Sequence, residues 1–166
     1  MYSNVYFLWS PPPTNSLKVN FDGALFKDIG KVGLGVVIRN NQGQAIASLS
    51  EQIPLPFSSD VVEALAAARA ISFARELGCF SFILEGDSDV VIKTLISEEE
   101  SLSPCGHILT SAKANTDVSC SIIFSHVRRI GNFVKHAQHV RGFSVWIKVF
   151  FHTFILYSWM IIVDFL

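Results

Sequence analysis

The sequence predicts a mixed α/β domain in which a five-stranded sheet carries helices on both faces. Three strand-like segments follow one another with only short turns between them, which is typical of an antiparallel meander. Strand-like and helix-like segments then alternate along the chain, which indicates βαβ crossovers and therefore added parallel strands. The 166 residues suffice for one domain with a sizeable core.

The first three predicted strands lie in the N-terminal third of the chain. Hydrophobic and polar residues alternate through LKVNFDGALF, residues 17–26, as they do in a strand with one buried face. Residues 33–40 are apolar on both faces, and Asn40-Asn41-Gln42-Gly43 is a hairpin turn sequence. A third strand over 44–52 completes the meander.

The second half of the chain alternates between the two periodicities. Two prolines break the pattern after the third strand, and the helix that follows has one apolar face and ends at Gly78. The predicted elements are a helix over 60–78, a strand over 80–87, helices over 88–97 and 104–115, a fifth strand over 119–127 and a last helix over 132–140.

The charges are unevenly distributed although the net charge is only −1. Residues 51–100 contain ten acidic and three basic residues, whereas residues 120–141 contain four basic residues and no acidic one. This division fits an acidic metal pocket beside a basic strip, and it equally fits two solvated faces of unlike sign.

The cysteines indicate a reducing compartment. Cys79, Cys105 and Cys120 cannot all pair, and none has the spacing of a metal-binding motif. The N-terminal segment lacks the basic region of a secretory signal. We therefore expect an intracellular protein of the nucleus or cytoplasm.

Three acidic residues occupy positions from which their side chains could meet. Asp22 lies on the polar side of the first strand, Glu63 in the first turn of the first long helix, and Asp87 just after the fourth strand. If the fourth strand runs beside the first, the three carboxylates converge near the carboxyl edge of the sheet, where sites of α/β proteins usually form.

Each acid also has a purely structural explanation. Asp22-Gly23 is a common turn pair. Asp60 and Glu63 have the spacing of a capping box, and Asp87 precedes a helix that it could cap. From the residues alone, both interpretations of each acid stay open.

Residues from about Trp9 to Ile147 resemble the ribonuclease H-like domain of a large plant family, which is related to the ribonuclease H regions of retroelements. The resemblance is carried, in the same order and spacing, by WSPPP, LKVNFDGALF, GKVGLGVVIRNNQG, VVEALAAARAISFARELG, FILEGDSDVVI and HVRRIGN. It implies a ribonuclease H-like fold and places the family's acidic positions on Asp22, Glu63 and Asp87.

The resemblance further implies a Mg²⁺-dependent endonuclease that hydrolyses the RNA strand of RNA–DNA hybrids, most simply as a monomer. Two Mg²⁺ ions, for which Mn²⁺ can substitute, would lie about 4 Å apart and serve a water nucleophile and the departing 3′ oxygen. Asp22 would bridge the ions, while Glu63 and Asp87 would each favour one. Contacts to 2′-hydroxyl groups would select the RNA strand.

The chain departs from the superfamily at the fourth acidic position, which is His136 here. A neutral imidazole is a poorer Mg²⁺ ligand than a carboxylate, so weak ligation, proton transfer and packing stay open for His136. His126 is interpreted as an ordinary strand histidine. The candidates for nucleic-acid contacts are basic or amide residues at strand ends, namely Arg128, Arg129, Asn132, Arg39 and Asn40.

The predicted domain spans residues 14–147, between a proline-rich lead-in or linker over 1–13 and an atypical hydrophobic tail over 148–166. Three interpretations of the tail stay open: read-through of non-coding sequence, a membrane anchor, or a segment packed on the domain as a helix or strand. A membrane is a partner only if the apolar stretch 143–166 is genuine.

Three functional hypotheses follow. The first is the Mg²⁺-dependent ribonuclease, and the second is a nucleic-acid-binding module that has lost turnover, because a fold can persist without its chemistry. The third is a fragment derived from a retroelement, tethered to a membrane by the tail.

Overall fold

The structure, a computed structural model, describes residues 9–56, 58–99, 101–116 and 120–129, together with the strands 143–148 and 158–163. The elements, in chain order, are β1 (Leu17–Phe26), a 3-10 turn (Lys27–Ile29), β2 (Lys31–Arg39), β3 (Ala45–Pro54), α1 (Ser59–Glu76), β4 (Ser81–Gly86), α2 (Asp89–Ile96), α3 (Pro104–Ala114), β5 (Ser121–His126), β6 (Phe143–Lys148) and β7 (Ser158–Val163).

The strands form one mixed sheet in the order β5-β4-β1-β2-β3-β6-β7. β1, β2 and β3 pair antiparallel, whereas β4 pairs in parallel with both β1 and β5. The predicted five-stranded sheet, a meander joined to crossover strands, is therefore confirmed. β6 and β7 extend it antiparallel beyond β3.

The three described helices pack together. α1 contacts β1, β2 and α3, while α2 contacts α3 and β5. The last predicted helix, residues 132–140, lies outside the described residues.

Part of the predicted hydrophobic tail is paired within the sheet. β7 lies inside the segment 148–166 and runs antiparallel to β6. The three interpretations of the tail stay predictions. Among the described residues, no helix has both the length and the apolar character needed to cross a membrane.

The core lies between α1 and the centre of the sheet. Val19 and Phe21 of β1 are fully buried, and a run of small residues keeps α1 close to the strands. At Gly23 the approach is so close that a Cβ would lie 2.7 Å from Cγ1 of Val62. This contact immediately follows Asp22 and immediately precedes Glu63, so it brings the two acids together.

The polar face of β1 is buried as well. Lys18, Asn20 and Asp22 are 5%, 0% and 6% exposed. The alternation in the sequence predicted the strand correctly, but the polar positions face protein rather than solvent. Burial of such groups requires polar partners, which the neighbouring strands provide.

Candidate metal centre

Three carboxylates from three different elements meet at one edge of the sheet. Asp22 comes from β1, Glu63 from the first turns of α1, and Asp87 from the residue after β4. One carboxylate oxygen from each residue lies within 4.8 Å of the other two. The parallel pairing of β1 with β4 brings the two aspartates together, and the close approach of α1 adds the glutamate.

None of the three acids has the structural role that the sequence left open. Asp22 lies inside β1 and not in a turn. α1 begins after Ser58 as its N-cap residue rather than Asp60, and Ser58 makes no side-chain cap hydrogen bond. The N-cap of α2 is Ser88, whose hydroxyl accepts from the backbone N–H of Val91. Turn formation and helix capping therefore do not account for the positions of the three carboxylates.

Among the three acids, Glu63 has a clearly raised pKa. Burial raises the pKa of its carboxyl group to about 7, and the nearby carboxylates of Asp22 and then Asp87 add to the shift. Arg129 and a hydrogen bond from the backbone of Gly23 act in the opposite direction. The ionised form of Glu63 is thus disfavoured unless a positive charge lies close by.

The donor set fits a hard divalent cation. All three groups offer oxygen atoms, which Mg²⁺ and Mn²⁺ prefer. The Oε2 atom of Glu63 is buried and has no hydrogen-bond partner among the described residues. A buried carboxylate oxygen without a partner is costly, and a bound cation would satisfy it.

His126, the last residue of β5, and Arg129, three residues after it, both contact Asp87. The guanidinium Nε of Arg129 donates to Oδ2 of Asp87 at 3.2 Å, and this hydrogen bond raises the pKa of Arg129. His126 Nε2 lies 3.3 Å from the backbone carbonyl oxygen of Asp87, which accepts the hydrogen bond. His126 is therefore a strand residue, as predicted, and its side chain also contacts the backbone of Asp87 after β4.

A cleft of about 290 Å³ opens beside the carboxylates. Glu63 and Arg129 lie in its wall, and Leu25 and Val90 lie at its exposed apolar rim. The lining of this cleft thus combines charged and apolar side chains.

Residues 20–138 match the family model described as reverse transcriptase-like. The chain belongs to that family of the ribonuclease H superfamily. The match spans most of the chain and includes all three carboxylates of the cluster. A search of curated protein sequences finds no match.

Solved ribonucleases H1 share the fold of this reverse transcriptase-like domain. The enzyme from the halophilic archaeon Halobacterium salinarum superimposes with a TM-score of 0.62 at 22% identity, covering 72% of this chain and 90% of its own. LC11-RNase H1, solved in complex with an RNA/DNA hybrid, gives 0.63 at 19% identity, with 74% and 93% covered. The N-terminal RNase H domain of rv2228c from Mycobacterium tuberculosis gives 0.60 at 16% identity, with 74% and 90% covered.

The other predicted contact residues of the reverse transcriptase-like domain occupy different environments. Arg128 is exposed and lines a second cleft of about 350 Å³ together with Trp9. Arg39 donates from Nη1 to Oδ1 of Asn20, and the Asn40 side chain accepts from two backbone N–H groups of the β2–β3 hairpin. Asn132 and His136 lie outside the described residues.

Sequence reasoning did not identify one buried polar group next to the cluster. Glu85 of β4 is 4% exposed and is hydrogen bonded to Lys18 and Asn20 of β1. The available signal was a glutamate inside the otherwise apolar run FILEG, since a charged residue in a buried strand requires a partner.

Proposed function

We propose that this chain is a divalent-metal-dependent endonuclease that hydrolyses the RNA strand of RNA–DNA hybrids. The observation that carries the proposal is the convergence of Asp22, Glu63 and Asp87, with ligand oxygens within 4.8 Å of one another, on a ribonuclease H fold. The RNA/DNA hybrid in the LC11-RNase H1 structure supports the choice of substrate. The six motifs from WSPPP to HVRRIGN, which keep their order and spacing, support a place in the plant branch of the superfamily.

Asp22, Glu63 and Asp87 would hold the metal, and Mg²⁺ is the ion that best suits this set of oxygen donors. When bound, such ions supply the positive charge that turns water into a nucleophile and stabilises the oxygen that leaves phosphorus. The chain's contribution is to hold three mutually repelling carboxylates in place before the ion arrives.

The remaining residues of the site suit a nucleic-acid backbone. Arg129 is exposed and its Nε lies 3.2 Å from Oδ2 of Asp87, and a guanidinium group can donate two hydrogen bonds to a phosphate. Leu25 and Val90 offer an apolar rim to the sugar face beside that phosphate. Arg128, on the same loop, would contact a neighbouring phosphate of the strand.

One observation favours a second candidate, a module that binds nucleic acid without cleaving it. The fourth acidic position of the superfamily is His136, which lowers the negative charge available to a second metal ion. The same carboxylate cluster could then bind a cation and a nucleic-acid backbone without reaching a productive geometry.

The two candidates are separated by a cleavage assay on a labelled RNA–DNA hybrid with Mg²⁺. The first predicts cleavage that falls about a hundredfold or more in Asp22→Asn and in Glu63→Gln, because each removes a charge that the reaction requires. Asp89→Asn is the matched control, since Asp89 is exposed on α2 and outside the cluster. Binding without cleavage, unchanged in Asp22→Asn, would select the second candidate.

A further inference from the structure

A buried cluster of charged and amide side chains links β1, which contains Asp22, with β4, which Asp87 directly follows. Lys18, Asn20 and Glu85 are each no more than 5% exposed. Removing two charges from water is expensive, and an apolar pair of similar volume often stabilises a protein as well or better. Stability alone is therefore a weak reason for this cluster.

Both carboxylate oxygens of Glu85 are used. Oε1 accepts from Nδ2 of Asn20 at 2.9 Å, and Oε2 accepts from Nζ of Lys18 at 2.9 Å. Ser125 of β5 donates its hydroxyl to Oε2 at 3.2 Å. One carboxylate thus joins β1, β4 and β5 side by side.

The cluster lies at the end of the β1–β4 ladder. Asn20 is paired with Glu85, and this is the last residue pair of the parallel register. Asp22 follows Asn20 by two residues, and Asp87 follows Glu85 by two residues. Since residues two apart along a strand face the same way, Asp22 lies on the same face of β1 as Asn20. Asp87 follows the end of β4, and one of its carboxylate oxygens lies within 4.8 Å of one from Asp22.

Trp9 and Ser10, which precede β1, contact this cluster. The ring of Trp9 lies 5.2 Å from Nζ of Lys18 and 5.2 Å from the guanidinium carbon of Arg39. Nζ of Lys18 donates to the carbonyl oxygen of Ser10 at 2.7 Å, and Arg39 donates to Oδ1 of Asn20 at 3.0 Å. Each polar group of the cluster is therefore held by a second contact, which restricts its rotamers and fixes its geometry.

We infer that Lys18, Asn20 and Glu85 are positioning residues that fix the separation of the Asp22 and Asp87 carboxylates for a divalent ion. The inference rests on the proposed metal-dependent function. Substituting outer groups that orient metal ligands typically lowers metal affinity about tenfold to a hundredfold.

The test measures Mn²⁺ affinity and thermal unfolding in the full chain. Asn20→Leu removes both hydrogen bonds of the amide at similar volume, and the double variant Lys18→Met/Glu85→Met replaces the ion pair by an apolar pair. We expect each to raise the Kd for Mn²⁺ by about tenfold or more. Leu109→Ala is the control, because Leu109 is fully buried in α3, which carries none of the carboxylates. It should lower Tm and leave the Kd within about twofold.

Each outcome decides the inference. It is overturned if both cluster variants bind Mn²⁺ like the unaltered chain, or if Leu109→Ala weakens binding as much as they do. It is also overturned, together with the proposed function, if the unaltered chain binds no Mn²⁺. If the unaltered chain binds Mn²⁺ in the expected pattern but leaves the hybrid uncut, the proposed hydrolysis fails and the positioning role stands.

Discussion

The exposed guanidinium of Arg129 lies against the buried carboxylate of Asp87. Their side chains are 76% and 4% exposed, and Nε of Arg129 lies 3.2 Å from Oδ2 of Asp87. Under the proposed function, a phosphate of the hybrid would approach this exposed guanidinium group. The pair therefore links the acidic cluster to the basic loop that follows β5.

Arg129→Gln should weaken hybrid binding and leave the folding stability nearly unchanged. We expect the KM for hybrid to rise and the slope of log K against log salt to fall by about one, as it does when one phosphate contact is lost. The measurement is hybrid binding at several salt concentrations. Lys93→Gln is the matched control, because Lys93 is exposed to a similar extent on α2. An equal loss in both variants would contradict a specific phosphate contact.

Glu63→Gln should stabilise the metal-free protein at high pH. Folding raises the Glu63 pKa from 4.5 to about 7, so between these values the unfolded chain binds fewer protons than the folded one. Stability from this group is therefore lost as the pH rises through that window. We expect the free energy of unfolding of Glu63→Gln to exceed that of the unaltered chain by about 3 kcal/mol at pH 8, with little difference at pH 4.

Urea unfolding with a metal chelator at pH 4 and pH 8 measures this effect. Glu98→Gln serves as the control, because Glu98 is exposed and lies outside the acidic cluster. Equal stability of Glu63→Gln and the unaltered chain at pH 8 would show that folding does not raise the pKa of Glu63.

Adding Mg²⁺ or Mn²⁺ should raise the thermal stability of the unaltered chain. An ion that binds only the folded state stabilises it by about 2.7 kcal/mol when its concentration is a hundred times Kd. Asp22→Asn should lose most of this shift, because it removes a central ligand candidate. The measurement is Tm as a function of metal concentration, and an Asp22→Asn variant that keeps the full shift would place the ion elsewhere.

The metal response should also grow with pH. A proton on Glu63 competes with the cation, and its pKa is raised to about 7. Apparent Mn²⁺ affinity should therefore increase from pH 6 to pH 8 and level off above. Calorimetric titrations at several pH values measure it, and a flat profile would exclude Glu63 as a ligand.

Gly23→Ala should separate α1 from β1. The new Cβ would lie 2.7 Å from Cγ1 of Val62 and 3.4 Å from its backbone carbon. We expect a loss of about 1–3 kcal/mol, the usual cost of overpacking, together with weaker metal binding, since Asp22 and Glu63 flank this contact. Val62→Ala removes the clashing methyl groups, so the double variant should be less destabilised than the sum of the two single variants.

Local pattern determined the meander, the crossover strands and the three described helices. The hydrophobic periods of β1, α1 and β4 are set by neighbouring residues, and neighbouring residues also supply the hairpin turn at Asn40 and the stop at Gly78. The positions of Asp22, Glu63 and Asp87 on these elements therefore followed from the sequence. Their roles as metal ligands stay predictions.

The sequence could not show where the polar face of β1 would lie. Alternation of Lys18, Asn20 and Asp22 with apolar residues is the same for a strand that faces water and for one that faces protein. For the same reason, the sequence could not show that Arg39 donates a hydrogen bond to the Asn20 side chain. Such partners are distant in sequence and meet only when strands pair.

The sequence by itself thus determined the order and type of the elements and the positions of the three acids along them. Only the tertiary structure decided that one oxygen from each acid lies within 4.8 Å of the others, and that Glu85 joins the strands beneath them. The reason is physical. Periodicity and turn chemistry act between residues a few positions apart, whereas carboxylate spacing depends on strand register and on how closely α1 approaches Gly23.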